Sequence, residues 1–185
     1  MRTLLITSSG PGEGKSSTTA NLALVFAQQG KKVLLVDADL RKPTAHYTFR
    51  VDNRVGLSSV LVGEMDYLKA VDASEEENLD ILSSGPIPPN PSELLGSKAM
   101  QHFIEQAKES YDLIIFDTPP VLAVTDAQVL ANLVDGTLFV VRSKATDQES
   151  AKKAKELLAP AKAKLLGAVL NDKEVSKNSY YYYAN

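Results

Sequence analysis

The residues best suited to chemistry lie in a glycine-rich turn, Ser9-Gly10-Pro11-Gly12-Glu13-Gly14-Lys15-Ser16. Their spacing follows G-x-x-x-x-G-K-[ST], with serine in place of the first glycine. Glycines let a backbone curl tightly and turn its N–H groups inward, the shape that cradles phosphate oxygens. Lys15 adds a full positive charge toward the β- and γ-phosphates of a nucleotide, and the Ser16 hydroxyl is placed to ligate Mg²⁺. Ser17 and Thr18 continue the row of donors toward the α-phosphate. The expected nucleotide contacts in this stretch are therefore Gly10, Pro11, Gly12, Glu13, Gly14, Lys15, Ser16, Ser17 and Thr18. The turn alone does not separate hydrolysis of a nucleotide from transfer of its phosphate.

Acids at the ends of apolar runs supply the second ingredient. Asp117 closes Ile114-Ile115-Phe116 and precedes Thr118-Pro119-Pro120. An acid there can hold Mg²⁺ through its water shell. In Val36-Asp37-Ala38-Asp39-Leu40-Arg41, the two aspartates are two residues apart, so an extended backbone projects both to one side. Like charges held close repel unless a cation lies between them, and a metal–phosphate group provides one. Alternatively, one of the pair can accept a hydroxyl proton from an incoming substrate. Arg41 can pair with phosphate or with carboxylate. Asn171, at the end of a later apolar run, is placed to touch a purine edge.

Six short apolar runs position these groups: Leu4–Thr7, Val33–Val36, Leu79–Leu82, Leu113–Phe116, Thr137–Val141 and Leu165–Leu170. Most are continuous rather than alternating, as strands covered on both faces are. A helix over Lys15–Gln29 ends at Gly30, a good C-terminal stop. Asn90-Pro91-Ser92-Glu93 reads as a helix start, and Thr125–Gln128 and Thr146–Glu149 each fit a capping box. Pro160 closes the last of these helices. Alternation of strand and helix predicts an α/β fold, a parallel sheet with helices on both faces. Gly85–Pro91 is too rich in proline for either element and reads as a stiff loop.

The boundaries expected are one domain over 1–171 and a flexible tail over 172–185. That tail ends in Tyr180-Tyr181-Tyr182-Tyr183, four of the chain's seven tyrosines. Packing does not account for such a run, and exposed aromatics are a liability unless used. Composition narrows the rest. The 185 residues carry a net charge of −3, which argues against nucleic acid as a partner. There is no cysteine, so disulfides, thiolate metal sites and cysteine nucleophiles are excluded. No apolar run reaches the roughly 18 residues of a membrane span. His46 and His102 lack metal-ligand spacing, Ser74–Glu77 reads as a solvated loop, and Lys42, Arg50 and Arg54 as surface charge.

Together these motifs resemble the bacterial tyrosine kinases, P-loop enzymes unrelated in fold to eukaryotic protein kinases. The likeness rests on Ser9–Ser16 as Walker A, Leu34–Arg41 as Walker A′ and Ile114–Pro120 as Walker B. The Pro88–Leu95 loop and the tyrosine cluster match as well. The resemblance implies a P-loop NTPase fold and ATP with Mg²⁺. It implies Lys15, Asp37, Asp39 and Asp117 as the catalytic set. Ser16, Asp37 and Asp117 would lie at the metal, with Asp37 the base toward a phenol and Asp39 its support. Tyr180, Tyr181, Tyr182 and Tyr183 would be the phosphoacceptors, mainly between neighbouring copies. Other protein tyrosines, a membrane-anchored activator, a cytoplasmic location at the inner membrane face and control of exopolysaccharide are implied in the same way. Family members carry a helical Glu-x-x-Arg-x-x-Arg segment used in subunit contacts. This sequence starts almost directly on the first strand, so weakened assembly and trans-phosphorylation are expected, and low basal activity is expected of it without the activator.

Three other readings compete. A partitioning-type P-loop ATPase would carry an extra lysine where Gly10 stands. A GTPase would carry Asn-Lys-x-Asp, which Asn171-Asp172-Lys173-Glu174 does not supply. A non-catalytic nucleotide switch would tolerate loss of the tyrosines.

Overall fold

A computed structural model describes residues 1–160 and 164–174. Seven strands make one sheet: β1 (Thr3–Ser8), β2 (Val33–Asp37), β3 (Asp72–Ala73), β4 (Leu79–Leu82), β5 (Leu113–Asp117), β6 (Gly136–Arg142) and β7 (Leu165–Asn171). Their order is β3-β4-β2-β5-β1-β6-β7. All six apolar runs become strands, and they pair in parallel. The departure is β3, which pairs antiparallel with β4 at the sheet's edge. Two residues, one of them charged, leave no apolar run from which such a strand can be read.

Eight helices accompany the sheet among the described residues: α1 (Lys15–Gln28), α2 (Ala45–Phe49), α3 (Leu57–Leu61), α4 (Tyr67–Ala70), α5 (Pro91–Leu95), α6 (Lys98–Ser110), α7 (Asp126–Ala131) and α8 (Gln148–Leu158). Gly30 stops α1 in a left-handed conformation, and α8 ends just before Pro160. The caps differ from expectation. Thr125 makes no capping bond, and α8 is capped by Asp147, which accepts from the Ser150 N–H at 2.8 Å. Thr146 has turned away to bond a buried glutamate in the phosphate loop. The longest element beyond the expected set is α6. It buries Met100, Phe103, Ile104 and Ala107, one stripe at helical spacing, and is capped by Ser97.

Alternation along the strands builds two cores. Leu4, Ile6, Val33, Leu35, Ile81 and Ile115 face α1 and α2, meeting Ala23, Ala27 and Ala45. Leu5, Leu34, Val36, Ile114 and Phe116 face the opposite way, toward Leu57, Phe103, Ile104, Leu130 and Leu158. Helices thus cover both faces, as a parallel sheet requires. Parallel strands also end on the same side, so β1, β2 and β5 deliver their C-terminal residues together. The register sets Asp37 level with Asp117 and Ile6 level with Asp117.

The turn into α3 is pinned to the chain leaving β4. Leu57 and Ser58 donate their N–H groups to the carbonyls of Ser83 and Ser84, at 2.8 and 2.9 Å. Backbone lies so close that a Cβ on Gly56 would overlap Ser83 and Gly85 main-chain atoms. Gly56→Ala is expected to lower unfolding free energy by about 1–3 kcal/mol in a urea titration, the usual cost of overpacking against unyielding atoms. Gly167→Ala, which meets nothing within 4 Å, serves as the control and is expected to leave the midpoint unchanged.

Candidate active site

The glycine-rich turn bridges β1 and α1. Gly12 and Gly14 take φ of +75° and +89°, which side chains resist. Gly14 has a second reason to lack a side chain, since a Cβ there would overlap the Asn171 amide. Asn171 donates from Nδ2 to the Glu13 carbonyl at 3.1 Å, and Arg142 Nη1 donates to the Gly12 carbonyl at 3.2 Å. The ends of β6 and β7 therefore grip the loop from outside.

Glu13 grips it from inside. Its buried carboxylate accepts from the N–H groups of Ser9 at 2.8 Å and Gly10 at 3.1 Å. The hydroxyls of Ser9 and Thr146 donate to it as well. The sequence places Glu13 among the nucleotide contacts, but its carboxylate is committed to bracing the loop. Only its main chain is left for that role. Thr18 is similarly engaged: both its N–H and its hydroxyl bond the Gly14 carbonyl, at 2.9 Å each.

Lys15 lies at the centre. Its Nζ is 3.1 Å from Asp117 Oδ1, 3.1 Å from the Ser16 hydroxyl and 3.8 Å from Asp39 Oδ2. Thr19, absent from the expected set, places its hydroxyl 2.9 Å from the Lys15 carbonyl and 3.3 Å from Asp117 Oδ1. Asp37 is held by main chain: Oδ2 accepts from the N–H groups of Thr44 and Ala45, both at 2.9 Å, and Oδ1 from that of Asp39 at 3.2 Å. Asp39 in turn accepts from the N–H groups of Arg41 and Lys42 at 3.3 and 3.0 Å. Lys15, Ser16, Asp39 and Asp117 thus lie together, with Asp37 level with Asp117 on the neighbouring strand end.

Arg41 goes elsewhere. Of the two partners open to it, it has the carboxylate: Nε and Nη2 fork onto Asp126 at 2.9 and 3.0 Å. Its expected contact with nucleotide is not what holds it here. The sequence marks Asp126 only as part of a helix start, and nothing in its spacing points to Arg41. Tyr180–Tyr183 and most of the predicted tail lie outside the described residues.

The electrostatics follow from crowding. Three carboxylates, nearly or wholly buried, crowd this corner, and two of them, Asp39 and Asp117, share the Lys15 ammonium. Burial pushes the Asp37 carboxyl up to about 7, the Asp117 charge adds to the rise, and the Thr44 and Ala45 amides oppose it. Asp117 is also raised by burial, against the pull of Lys15. Among the described residues, no three His, Cys, Asp or Glu side chains form a ready-made metal cage. Mg²⁺ does not need one, because it is held by one or two carboxylates together with phosphate oxygens and water. Surplus negative charge beside Ser16 suits such an ion.

A parallel sheet whose first strand runs into a braced phosphate loop, flanked by acids on neighbouring strand ends, defines a P-loop nucleotide-binding domain. Residues 1–153 match the AAA domain family. The chain is 59% identical over 183 residues to the tyrosine-protein kinase YwqD of Bacillus subtilis (strain 168), covering 99% of this chain and 77% of that one. In structure it resembles the chimerical protein CapA2B2, with a TM-score of 0.91 at 46% identity over 94% of this chain and 77% of the other. It also resembles the kinase domain of the Escherichia coli tyrosine kinase ETK, with a TM-score of 0.90 at 38% identity over 95% and 69%. The chain belongs to the bacterial tyrosine kinases.

The Asp37 shift fixes a pH dependence. Its ordinary value is 3.8 and its folded value about 7, so between those limits the folded state holds a proton that the unfolded chain has released. Its contribution to stability therefore declines as pH rises from about 4 to about 7 and is level above that. Asp37→Asn keeps an acceptor for Thr44 and Ala45 but no charge. Its melting temperature is expected to match wild type near pH 4, to exceed it increasingly up to pH 7, and to hold that excess at pH 8. Scanning calorimetry across this range checks it.

Proposed function

We propose that this chain is an ATP-dependent protein-tyrosine kinase whose first acceptors are its own Tyr180–Tyr183. The single observation that carries the reading is the meeting of Lys15 with Asp117 and Asp39 at the mouth of a braced phosphate loop, with Asp37 at the neighbouring strand end. ATP bound there would have its phosphates against the loop's N–H groups and the Lys15 ammonium. Ser16 and Asp117 are the residues that would hold Mg²⁺, with Asp37 beside it. The ion supplies charge neutralisation for the transferring group.

Asp37 is the proposed base. A phenol near pKa 10 gives up its proton reluctantly, and a carboxylate whose affinity for protons is raised by burial accepts it more readily than an ordinary one. Asp39 orients this corner through the loop amides. Asn171 and Arg142 keep the loop open in a fixed shape, so little reorganisation accompanies phosphate binding. A membrane-anchored activator, recruitment to the inner membrane face, further tyrosine substrates and association between copies belong to the same proposal. They rest on the family resemblance. Among the described residues, no helix is long and apolar enough to cross a membrane.

Incubation with Mg²⁺ and γ-labelled ATP, followed by mapping of labelled residues, tests the reading. Label is expected on Tyr180–Tyr183. Lys15→Met is expected to reduce it by at least about 100-fold, the scale on which loss of a transition-state charge partner acts. Replacing all four tyrosines with phenylalanine is expected to abolish self-labelling while leaving ATP affinity unchanged. Phosphate release with no labelled protein would instead mark an ATPase.

A further inference from the structure

We propose that Asp126 is a positioning residue for the paired acids after β2, acting through Arg41. The proposal rests on the reading above, in which those acids serve phosphoryl transfer. Asp126 is completely buried at the start of α7, and its carboxylate takes two donors from Arg41 and the Ser92 hydroxyl. Ser92, on α5, also meets the Thr125 hydroxyl at 3.1 Å. One buried carboxylate thereby clamps the loop after β2 to two helices that contribute nothing else to the site.

The clamp reaches the site through the backbone. The N–H groups of Arg41 and Lys42 fix Asp39 Oδ1, which leaves Oδ2 directed at Lys15 Nζ, 3.8 Å away. A guanidinium held in a two-pronged grip fixes the conformation of its own main chain. If Arg41 swung toward a phosphate instead, Asp126 would be left as a buried charge without a cation, an arrangement folded proteins avoid. The same arginine therefore serves the site by staying out of it. Without the clamp Asp39 can rotate, and misplacement of about 1 Å near reacting groups is enough for losses of up to about 100-fold.

The experiment compares Arg41→Gln, Asp126→Asn and the double variant with wild type, alongside Asp39→Asn. Phosphate transfer from labelled MgATP at saturation, ATP affinity and thermal unfolding are measured for each. Arg41→Gln and Asp126→Asn are each expected to slow transfer about 10- to 100-fold with ATP affinity within about twofold of wild type. The double variant is expected to be no slower than the slower single, because both changes break one linkage. Weakened ATP binding in Arg41→Gln, with Asp126→Asn transferring normally or faster, would make the arginine a nucleotide ligand and overturn the proposal. If Asp126→Asn does not fold, Arg41→Gln carries the test, since its side chain is partly exposed and its loss of transfer without loss of affinity is the decisive split. Slowed transfer in Asp39→Asn with unchanged clamp variants overturns the positioning role alone. Unchanged transfer in Asp39→Asn overturns the reading of the acids and this proposal with it.

Discussion

Three buried carboxylates crowd one corner of the site, two of them paired with a single lysine, and most of the site's other features answer to that crowding. Parallel register sets Asp37 beside Asp117, and the loop after β2 folds back to add Asp39. Water cannot relieve the repulsion, because all three are at least nine-tenths buried. Relief comes from Lys15, from main-chain N–H groups aimed at the acids, and from the proton that Asp37 keeps up to about neutral pH. A site with such surplus charge favours a divalent cation, and electrostatics thereby link the bare fold to its proposed chemistry.

The phosphate loop answers a different constraint. A stretch of inward N–H groups has no sheet or helix partners, so its shape must be imposed from around it. Glu13 binds its first residues together, while Asn171 and Arg142 hold its carbonyls. Arg142 and Asn171 come from the ends of β6 and β7, and Thr146, in the turn before α8, holds Glu13. The site is a property of the whole strand-end surface rather than of one motif.

Continuous apolar runs made the parallel sheet legible, and G-x-G-K-S spacing with strand-end aspartates made the centre of the site legible. Both are local signals with a physical cause. The α6 stripe at positions 100, 103, 104 and 107 carries a helical period, yet only its burial against the sheet makes it stand out from its surroundings. Caps misled because Thr125 and Thr146 have competing partners far along the chain. The same limit applies to Arg41 and Glu13. Their types advertise a phosphate role, and only the fold reveals Asp126, 85 positions away, or the inward turn of a loop carboxylate. Side chains that act on other side chains leave no spacing to read.

The end of β7 has a mechanical meaning. Asn171 rests on the Gly14 backbone, and its neighbour Asp172 pairs with Arg142, the residue that holds the Gly12 carbonyl. Each bond is modest in water, but they act at one anchorage. The strand end thus anchors the chain against the rim of the phosphate loop, and any free energy by which a hold on this anchorage altered the loop's affinity for its occupant would be returned in equal measure by the occupant to that hold.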